Sequence, residues 1–200
     1  MDGELGVSYS VLVVPEDPTH NGDILEPLIV RMLAQCGKPN ARVLVLTNPK
    51  VQGYEHARQK LPEILERYRH FDLILFLVDA DGKDKAAVFE ALESKAASNG
   101  LPLFCAAAEQ EVEVWLLAGH AEKLEIPWGE VRRDISVKEN VFEPFLSKYG
   151  DRRRYGGGRD LLMREAVEKY DQILQRCPEL KRLQGRITQL LRLTSTESLL

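Results

Sequence analysis

The sequence has few cysteines, and none of them stands in the paired spacing that holds zinc or builds a disulfide framework. Cys36, Cys105 and Cys177 are far apart, odd in number and outside any CxxC pair. Such spacing is typical of reduced thiols rather than of a secreted disulfide scaffold. Cys36 and Cys105 stand in apolar surroundings, which favours their interpretation as small buried hydrophobic residues.

Long hydrophobic runs are missing as well. No apolar stretch approaches the roughly 20 residues that cross a bilayer. The first ten residues, MDGELGVSYS, are acidic and contain no apolar segment of signal-peptide length. We therefore expect a cytoplasmic protein that does not associate with membranes.

The chain also lacks an excess of positive charge. Its 200 residues carry a formal net charge of −4. A domain that only grips nucleic acid usually has a strongly basic stripe, so any such contact here would depend on local clusters. The glycines at 156–158 do not form a Walker A loop, because neither GKS nor GKT follows them. They do not form a dinucleotide-binding fingerprint either, because no strand precedes them.

The apolar pattern predicts an α/β protein. Short runs rich in β-branched residues predict strands at 11–15, 41–46, 71–78 and 101–106. Helical spacing predicts helices at 23–36, with Asp23 as N-cap, and at 53–70, 85–98, 161–176 and 179–193. The alternation of strands and helices favours an α/β fold with a largely parallel central sheet flanked by helices. We predict one domain over 1–200, with a core at about 8–120 and a C-terminal, mostly helical extension at 121–200.

Acidic side chains follow three of the predicted strands, at the point where each strand ends. The clusters are Glu16 and Asp17, Asp79 and Asp81, and Glu109, Glu111 and Glu113. Parallel strands place their carboxyl ends along one edge, so the clusters can converge there. If Asp79 and Asp81 continue the extended chain, their side chains point to one face. The alternative is that these acids are ordinary turn residues or helix N-caps.

Converging carboxylates raise one another's pKa unless a cation lies between them. Ligand sets made only of oxygen suit Mg²⁺ or Mn²⁺ rather than zinc. Mg²⁺ held in this way commonly also binds substrate phosphates. The sequence therefore predicts a divalent metal site suited to phosphodiester chemistry.

Three segments resemble the TOPRIM-like proteins, and more narrowly the small bacterial DUF4276 type often found beside ATPases in defence loci. They are VLVVPEDPTHNG with Glu16, LILFLVDADGKDK with Asp79 and Asp81, and AEQEVEVWLLAGH with Glu111, Glu113 and Trp115. The resemblance covers roughly residues 10 to 120. It departs from the family where Asp17 replaces the glycine after the first glutamate, and at Gly119-His120, where related members often have an aspartate. Trp115 is expected to pack in the core.

The resemblance implies a TOPRIM/Rossmann-like fold and a Mg²⁺-dependent nuclease for DNA or RNA. Glu16 would be the general acid/base or a metal ligand, and Asp79 and Asp81 would hold metal. Glu111 or Glu113 would complete the site. By the same resemblance, the protein would serve antiviral or anti-plasmid defence with a partner ATPase or as a homo-oligomer. The alternative is a catalytically inactive TOPRIM-like scaffold or regulatory subunit.

Two basic clusters are predicted to contact nucleic acid. Lys83 and Lys85 follow the acidic pair, and Arg153, Arg154 and Arg159 surround three glycines. Arginine suits bidentate phosphate contacts, and glycine lets a backbone approach closely. The alternatives are a solvated turn for the lysines and a flexible exposed loop for the arginines.

A receiver-like signalling domain is the remaining alternative, because it also places acids after two strands. Two features count against it. Glu16 and Asp79 are farther apart in the chain than receivers usually show, and the strand at 101–106 runs into alanines with no switch serine or threonine.

Overall fold

A computed structural model describes residues 9–197, apart from the side chains of His20 and of residues 195–197. Its strands are β1 (Ser10–Pro15), β2 (Arg42–Val45), β3 (Leu73–Asp79) and β4 (Leu103–Ala108). They form one sheet in the order β2-β1-β3-β4, and every neighbouring pair is parallel. The predicted α/β class, with a parallel sheet flanked by helices, is confirmed. Residues 1–8 and 198–200, which belong to the predicted domain, lie outside the described residues.

Helices occupy most of the remaining chain. They are α1 (Pro18–Gln35), α2 (Tyr54–Arg67), α3 (Ala86–Ser98), α4 (Glu113–Ala118), α5 (Trp128–Val131), α6 (Glu143–Tyr149), α7 (Arg159–Ala166), α8 (Tyr170–Arg176) and α9 (Pro178–Glu197). A π-helical turn, Lys138–Phe142, precedes α6. None of the helices found between residues 9 and 197 is long and apolar enough to cross a membrane.

Both faces of the sheet are buried, because successive strand residues point to opposite sides. Leu75 and Leu77 face one core, which is completed by α1, α4 and the helices from α6 to α9. Ile74 and Phe76 face the other, which is completed by α2 and α3. The C-terminal helices therefore share a core with α1 and the sheet, and the described chain packs as one unit.

The turn between β1 and α1 is shorter than the sequence predicts. Asp17 is the N-cap, since its Oδ1 accepts the Thr19 N–H across 2.9 Å, and Pro18 opens the helix. The prediction of Asp23 as N-cap is wrong, because Asp23 lies inside α1. Asp17 is thus engaged in capping, and Glu16 is the one residue between strand and cap.

Candidate active site

The sheet order places a crevice where Glu16 and Asp79 meet. In the sheet, β2 lies on one side of β1, whereas β3 and then β4 lie on its other side. The strand order therefore reverses between β1 and β3. Open α/β sheets bind their ligands outside the carboxyl ends of the strands at such a point. Glu16 follows the last residue of β1, and Asp79 is the last residue of β3. The topology therefore brings these two predicted site residues together.

Asp79 is held in an environment that disfavours its charged form. Burial, followed by the hydrogen bond and the negative charge of Glu16 and then the charge of Glu113, raises its pKa to about 10. The Val112 N–H donates to Asp79 Oδ1 across 2.7 Å and acts in the opposite direction. The environment of Asp79 therefore disfavours its charged form more strongly than the Val112 hydrogen bond favours it.

Glu113 is the most deeply buried acid of the cluster. It is the first residue of α4 and only 1% exposed. Neither of its carboxylate oxygens has a hydrogen-bond partner among the described residues. The nearest cation is Lys138, whose Nζ lies 3.4 Å from Glu113 Oε1. Because a buried carboxylate is costly without partners, this position calls for positive charge.

Glu111 and Lys138 form the outer part of the cluster. The Lys138 main-chain N–H donates to Glu111 Oε2 across 2.9 Å. Burial and the charge of Glu113 raise the pKa of Glu111 to about 7. Burial lowers the pKa of Lys138, whereas the negative charges of Glu113 and Glu111 raise it. Together these charges outweigh the effect of burial, so the pKa of Lys138 lies above its usual value. Lys138 lies in the π-helical turn, a local geometry frequent at functional sites.

Lys138 belongs to the cluster although no sequence pattern predicts it. It comes from the segment before α6 that has no clean apolar period, and nothing in the residues around it marks it as special. Its position depends on how the π-helical turn packs against α4, which sequence patterns do not show.

Asp81 and Glu109 do not join the cluster in the way the sequence suggests. The chain leaves the extended conformation after Asp79, and Asp81 has a left-handed φ of 51° with an exposed side chain. The premise that Asp79 and Asp81 continue one extended chain is therefore wrong. Glu109 instead forms an ion pair with Arg132. Helix α4 begins only at Glu113, so Glu109 lies in the loop before it.

Trp115 packs as expected. It lies in α4, is fully buried, and donates from Nε1 to Glu179 Oε1 across 2.9 Å. Arg132 holds the same carboxylate with two hydrogen bonds of 2.7 and 2.9 Å. This buried trio fixes α4 against the start of α9, and it therefore fixes the position of Glu113.

The cluster is not a ready-made metal cage. Across residues 9–197, no group of three or more histidine, cysteine, aspartate or glutamate side chains is arranged to hold a metal ion. The donor chemistry nevertheless fits a hard cation, since the cluster offers carboxylate oxygens and both Glu113 oxygens are buried without hydrogen-bond partners. The ammonium of Lys138 offsets one negative charge of the cluster, and the raised pKa of Asp79 disfavours a further one.

The predicted nucleic-acid contacts differ in their accessibility. Lys83 is exposed, whereas Lys85 is only 7% exposed and its Nζ lies 3.9 Å from the centroid of the Tyr54 ring. Arg153 pairs with Asp151 of its own loop, and its side chain remains largely exposed.

The glycine loop is a packed element. Gly156, Gly157 and Gly158 all have positive φ, and a Cβ on Gly156 would lie 2.4 Å from Asp23 Oδ2. Arg159 is buried and donates to the Gly156 carbonyl across 2.7 Å. It also pairs with Glu143, so its guanidinium is directed inward and not toward a ligand. The alternative of an exposed loop describes Arg153 and Arg154 but not Gly158 and Arg159, which are buried.

Arg154 also has a partner within the chain. Its guanidinium lies 2.8 Å from Asp160 Oδ2 at the start of α7. A phosphate would have to compete with that carboxylate, although the pair is exposed enough for the competition to be weak.

No family model, curated protein or solved structure matches this chain. Fold and site together therefore define its class. It is a Rossmann-like α/β protein that carries a buried carboxylate cluster with a lysine at the switch point of its sheet.

Proposed function

We propose that the chain is a Mg²⁺- or Mn²⁺-dependent nuclease that hydrolyses phosphodiester bonds of DNA or RNA. The observation that carries the proposal is Glu113, a buried glutamate whose two oxygens have no hydrogen-bond partner in the described chain. It lies beside Asp79 and Glu16 at the switch point, where such folds bind ligands. A divalent cation would replace the proton on Asp79, and the oxygens of Asp79 and Glu113 would then have a positively charged partner.

Each residue of the cluster has a distinct role in this proposal. Glu16, Asp79 and Glu113 would hold the ion. When bound, it would supply charge neutralisation at the scissile phosphate and a water of lowered pKa. Lys138 keeps about a third of its side chain exposed, so its ammonium can reach a phosphate oxygen. Glu111 has Oε2 fixed by the Lys138 N–H, which leaves Oε1 to accept a proton from water. Asp81 has no role in this donor set.

Calorimetric titration of Mn²⁺ and Mg²⁺ tests the metal site. We expect binding by the wild type, and its loss in Asp79→Asn and in Glu113→Gln, which keep the size of each side chain. Glu139→Gln is the matched control, because it removes a nearby negative charge from an exposed side chain. Binding that is unchanged in both site variants would show that the cluster does not hold the ion.

A cleavage assay tests the reaction. Labelled single- and double-stranded DNA and RNA are incubated with wild type, Asp79→Asn and Glu139→Gln in the presence of Mn²⁺. We expect cleavage by wild type and the control, and at least about a hundredfold less by Asp79→Asn. Equal activity in all three preparations would identify a contaminant and reject the assignment.

A catalytically inactive scaffold or regulatory subunit is the second candidate. It is favoured by the Lys138–Glu113 contact, which balances charge without metal, and by the lack of a preformed metal group among the described residues. Wild-type protein that binds neither ion, alone or with an oligonucleotide, would place this candidate first. A role in defence with a partner ATPase or as a homo-oligomer belongs to the proposal too and rests on the sequence resemblance.

A further inference from the structure

A second cavity lies on the outer side of β4, between the first turns of α3 and α9. Its volume is about 600 Å³, which is within the range of small-molecule sites. Lys83, Lys85 and Phe89 line one side, and Arg182 and Arg186 line the other. It adjoins the loop after Asp79 but contains none of Glu16, Asp79 or Glu113.

The cations around this cavity fall into two groups. Arg132 is neutralised by Glu179 and Glu109, and Arg186 by Glu93 at 2.6 Å. For the remaining three, no carboxylate of the described chain lies within ion-pair distance; they are Lys83, Lys85 and Arg182. Lys85 is also buried and has the Tyr54 ring, rather than a carboxylate, beside its Nζ at 3.9 Å. Asp84, the remaining acid of the lining, accepts the Ala86 N–H, and the cations of the lining still outnumber its carboxylates. The cavity therefore favours an anionic ligand.

The floor of the cavity is apolar and ends at the edge of the sheet. Phe89, Ala106 and Leu183 contribute its hydrophobic surface. Cys105 directs its main-chain groups away from β3, because its N–H donates to Glu93 Oε1 at 2.6 Å and its carbonyl accepts from Arg186 at 3.4 Å. The strand period of two directs the Ala107 N–H and carbonyl to the same side. An adjacent donor and acceptor on an apolar floor suit the edge of a nucleobase.

We propose that this cavity binds a nucleoside phosphate, with the base on the apolar floor and the phosphate among Lys83, Lys85 and Arg182. The ligand is either a free mononucleotide or the end of a nucleic acid strand, since both present the same chemistry. This site needs no metal and is separate from the carboxylate cluster. It gives Lys83 and Lys85 a specific ligand in place of a general contact with nucleic acid.

The test is calorimetry in EDTA, so that its result does not depend on the metal site. The probes are the four nucleoside 5′-monophosphates, inorganic phosphate, and a 5′-phosphorylated single-stranded oligonucleotide. The binding variant is Lys83→Ala/Arg182→Ala. The control is Lys50→Ala/Lys181→Ala, which removes the same charge from exposed positions outside the cavity, one of them adjacent to Arg182 on α9. Thermal denaturation of each variant verifies that it folds.

We expect the wild type and the control to bind at least one nucleotide probe, and the binding variant to bind it at least about tenfold more weakly. Tighter binding of the monophosphate identifies a free nucleotide, and tighter binding of the oligonucleotide identifies a strand end. Three results would overturn the proposal: no binding of any nucleotide probe, equal binding by the two double variants, or inorganic phosphate binding as tightly as the nucleotides.

Discussion

Lys138 Nζ lies 3.4 Å from Oε1 of Glu113, which has no hydrogen-bond partner among the described residues for either carboxylate oxygen. The glutamate is almost fully buried, while about a third of the lysine side chain remains exposed. The contact thus joins the protein interior to the surface of the crevice. It lets the chain fold around a buried negative charge before any ligand arrives.

Replacing this lysine should be costly because it leaves the Glu113 carboxylate buried without a counter-charge. We expect Lys138→Met to lower the free energy of unfolding by about 2 kcal/mol, below the 3–5 kcal/mol of fully buried pairs, since Lys138 is partly exposed. Chemical denaturation measures the change. Adding Glu113→Gln should restore part of the loss. The matched control is Lys148→Met, which breaks the shorter but exposed pair with Glu125 and should cost clearly less than Lys138→Met.

Asp79→Asn should raise the free energy of unfolding at pH 7 in a chelator. Burial and Glu16 raise the pKa of Asp79, so the folded protein disfavours its charged form, whereas an aspartate of the unfolded chain is ionised at this pH. Asparagine removes this cost of folding while its Oδ1 can still accept the Val112 N–H, so the variant should be more stable than the wild type. Asp79→Ala should be less stable than Asp79→Asn, because the Val112 N–H then loses its acceptor. Denaturation that ranks the two variants in the opposite order would refute this account of the site.

The sequence predicts that Glu16 and Asp79 lie close together, because this part of the cluster depends only on where two strands end. The apolar runs before Glu16 and Asp79 end at polar residues, and this pattern locates strand ends whatever the rest of the chain does. Parallel order then brings the two acids together. The prediction for Asp81 is wrong because the Asp81-Gly82 turn has a left-handed backbone conformation. The prediction assumes that the chain stays extended after Asp79.

Residues placed by packing between distant segments could not be predicted from sequence. Arg159 stands in a glycine-rich basic run that predicts exposure, yet Glu143 and the Gly156 carbonyl hold it inside the loop. Lys138 reaches Glu113 only because a turn without apolar periodicity packs against α4. Both depend on contacts between separate elements, for which single-sequence patterns carry no signal.

His120 should make stability depend on pH near neutrality. Its Nε2 lies 2.8 Å from the Leu162 carbonyl, and its buried Nδ1 has no partner in the described chain. Burial lowers its pKa, although the contact with Leu162 acts in the opposite direction. The unfolded chain, with a histidine pKa near 6.5, then binds the proton more readily than the folded one. The stability that neutral His120 contributes is fully present above about pH 6.5. It is lost as the pH falls from there through the lowered pKa of the folded protein.

Urea denaturation between pH 7.5 and 5.5 measures this effect. His120→Gln keeps a donor for the Leu162 carbonyl but cannot titrate, so its stability should fall less than that of the wild type as the pH is lowered. Glu111 titrates in the same range with the opposite sign, because its pKa is raised to about 7. The difference between the two curves, and not either curve alone, therefore reports His120. Parallel curves would mean that His120 is not protonated differently in the folded and unfolded states.

Gly119 should tolerate no side chain. A Cβ there would lie 2.4 Å from the Cβ and 2.6 Å from the Cα of Ala166 in α7, and main-chain atoms cannot move aside cheaply. We expect Gly119→Ala to cost about 2 kcal/mol, a typical overpacking penalty, and to lower Tm by about 4–8 °C. Gly185→Ala is the matched control, since no atom lies within 4 Å of its added Cβ and alanine favours the helix. A control that gains stability while Gly119→Ala loses it would show that close contact between the end of α4 and α7 is required. Equal effects of the two substitutions would mean that α4 and α7 are not in close contact at Gly119. The packing that positions Glu113, at the start of α4, would then be wrong.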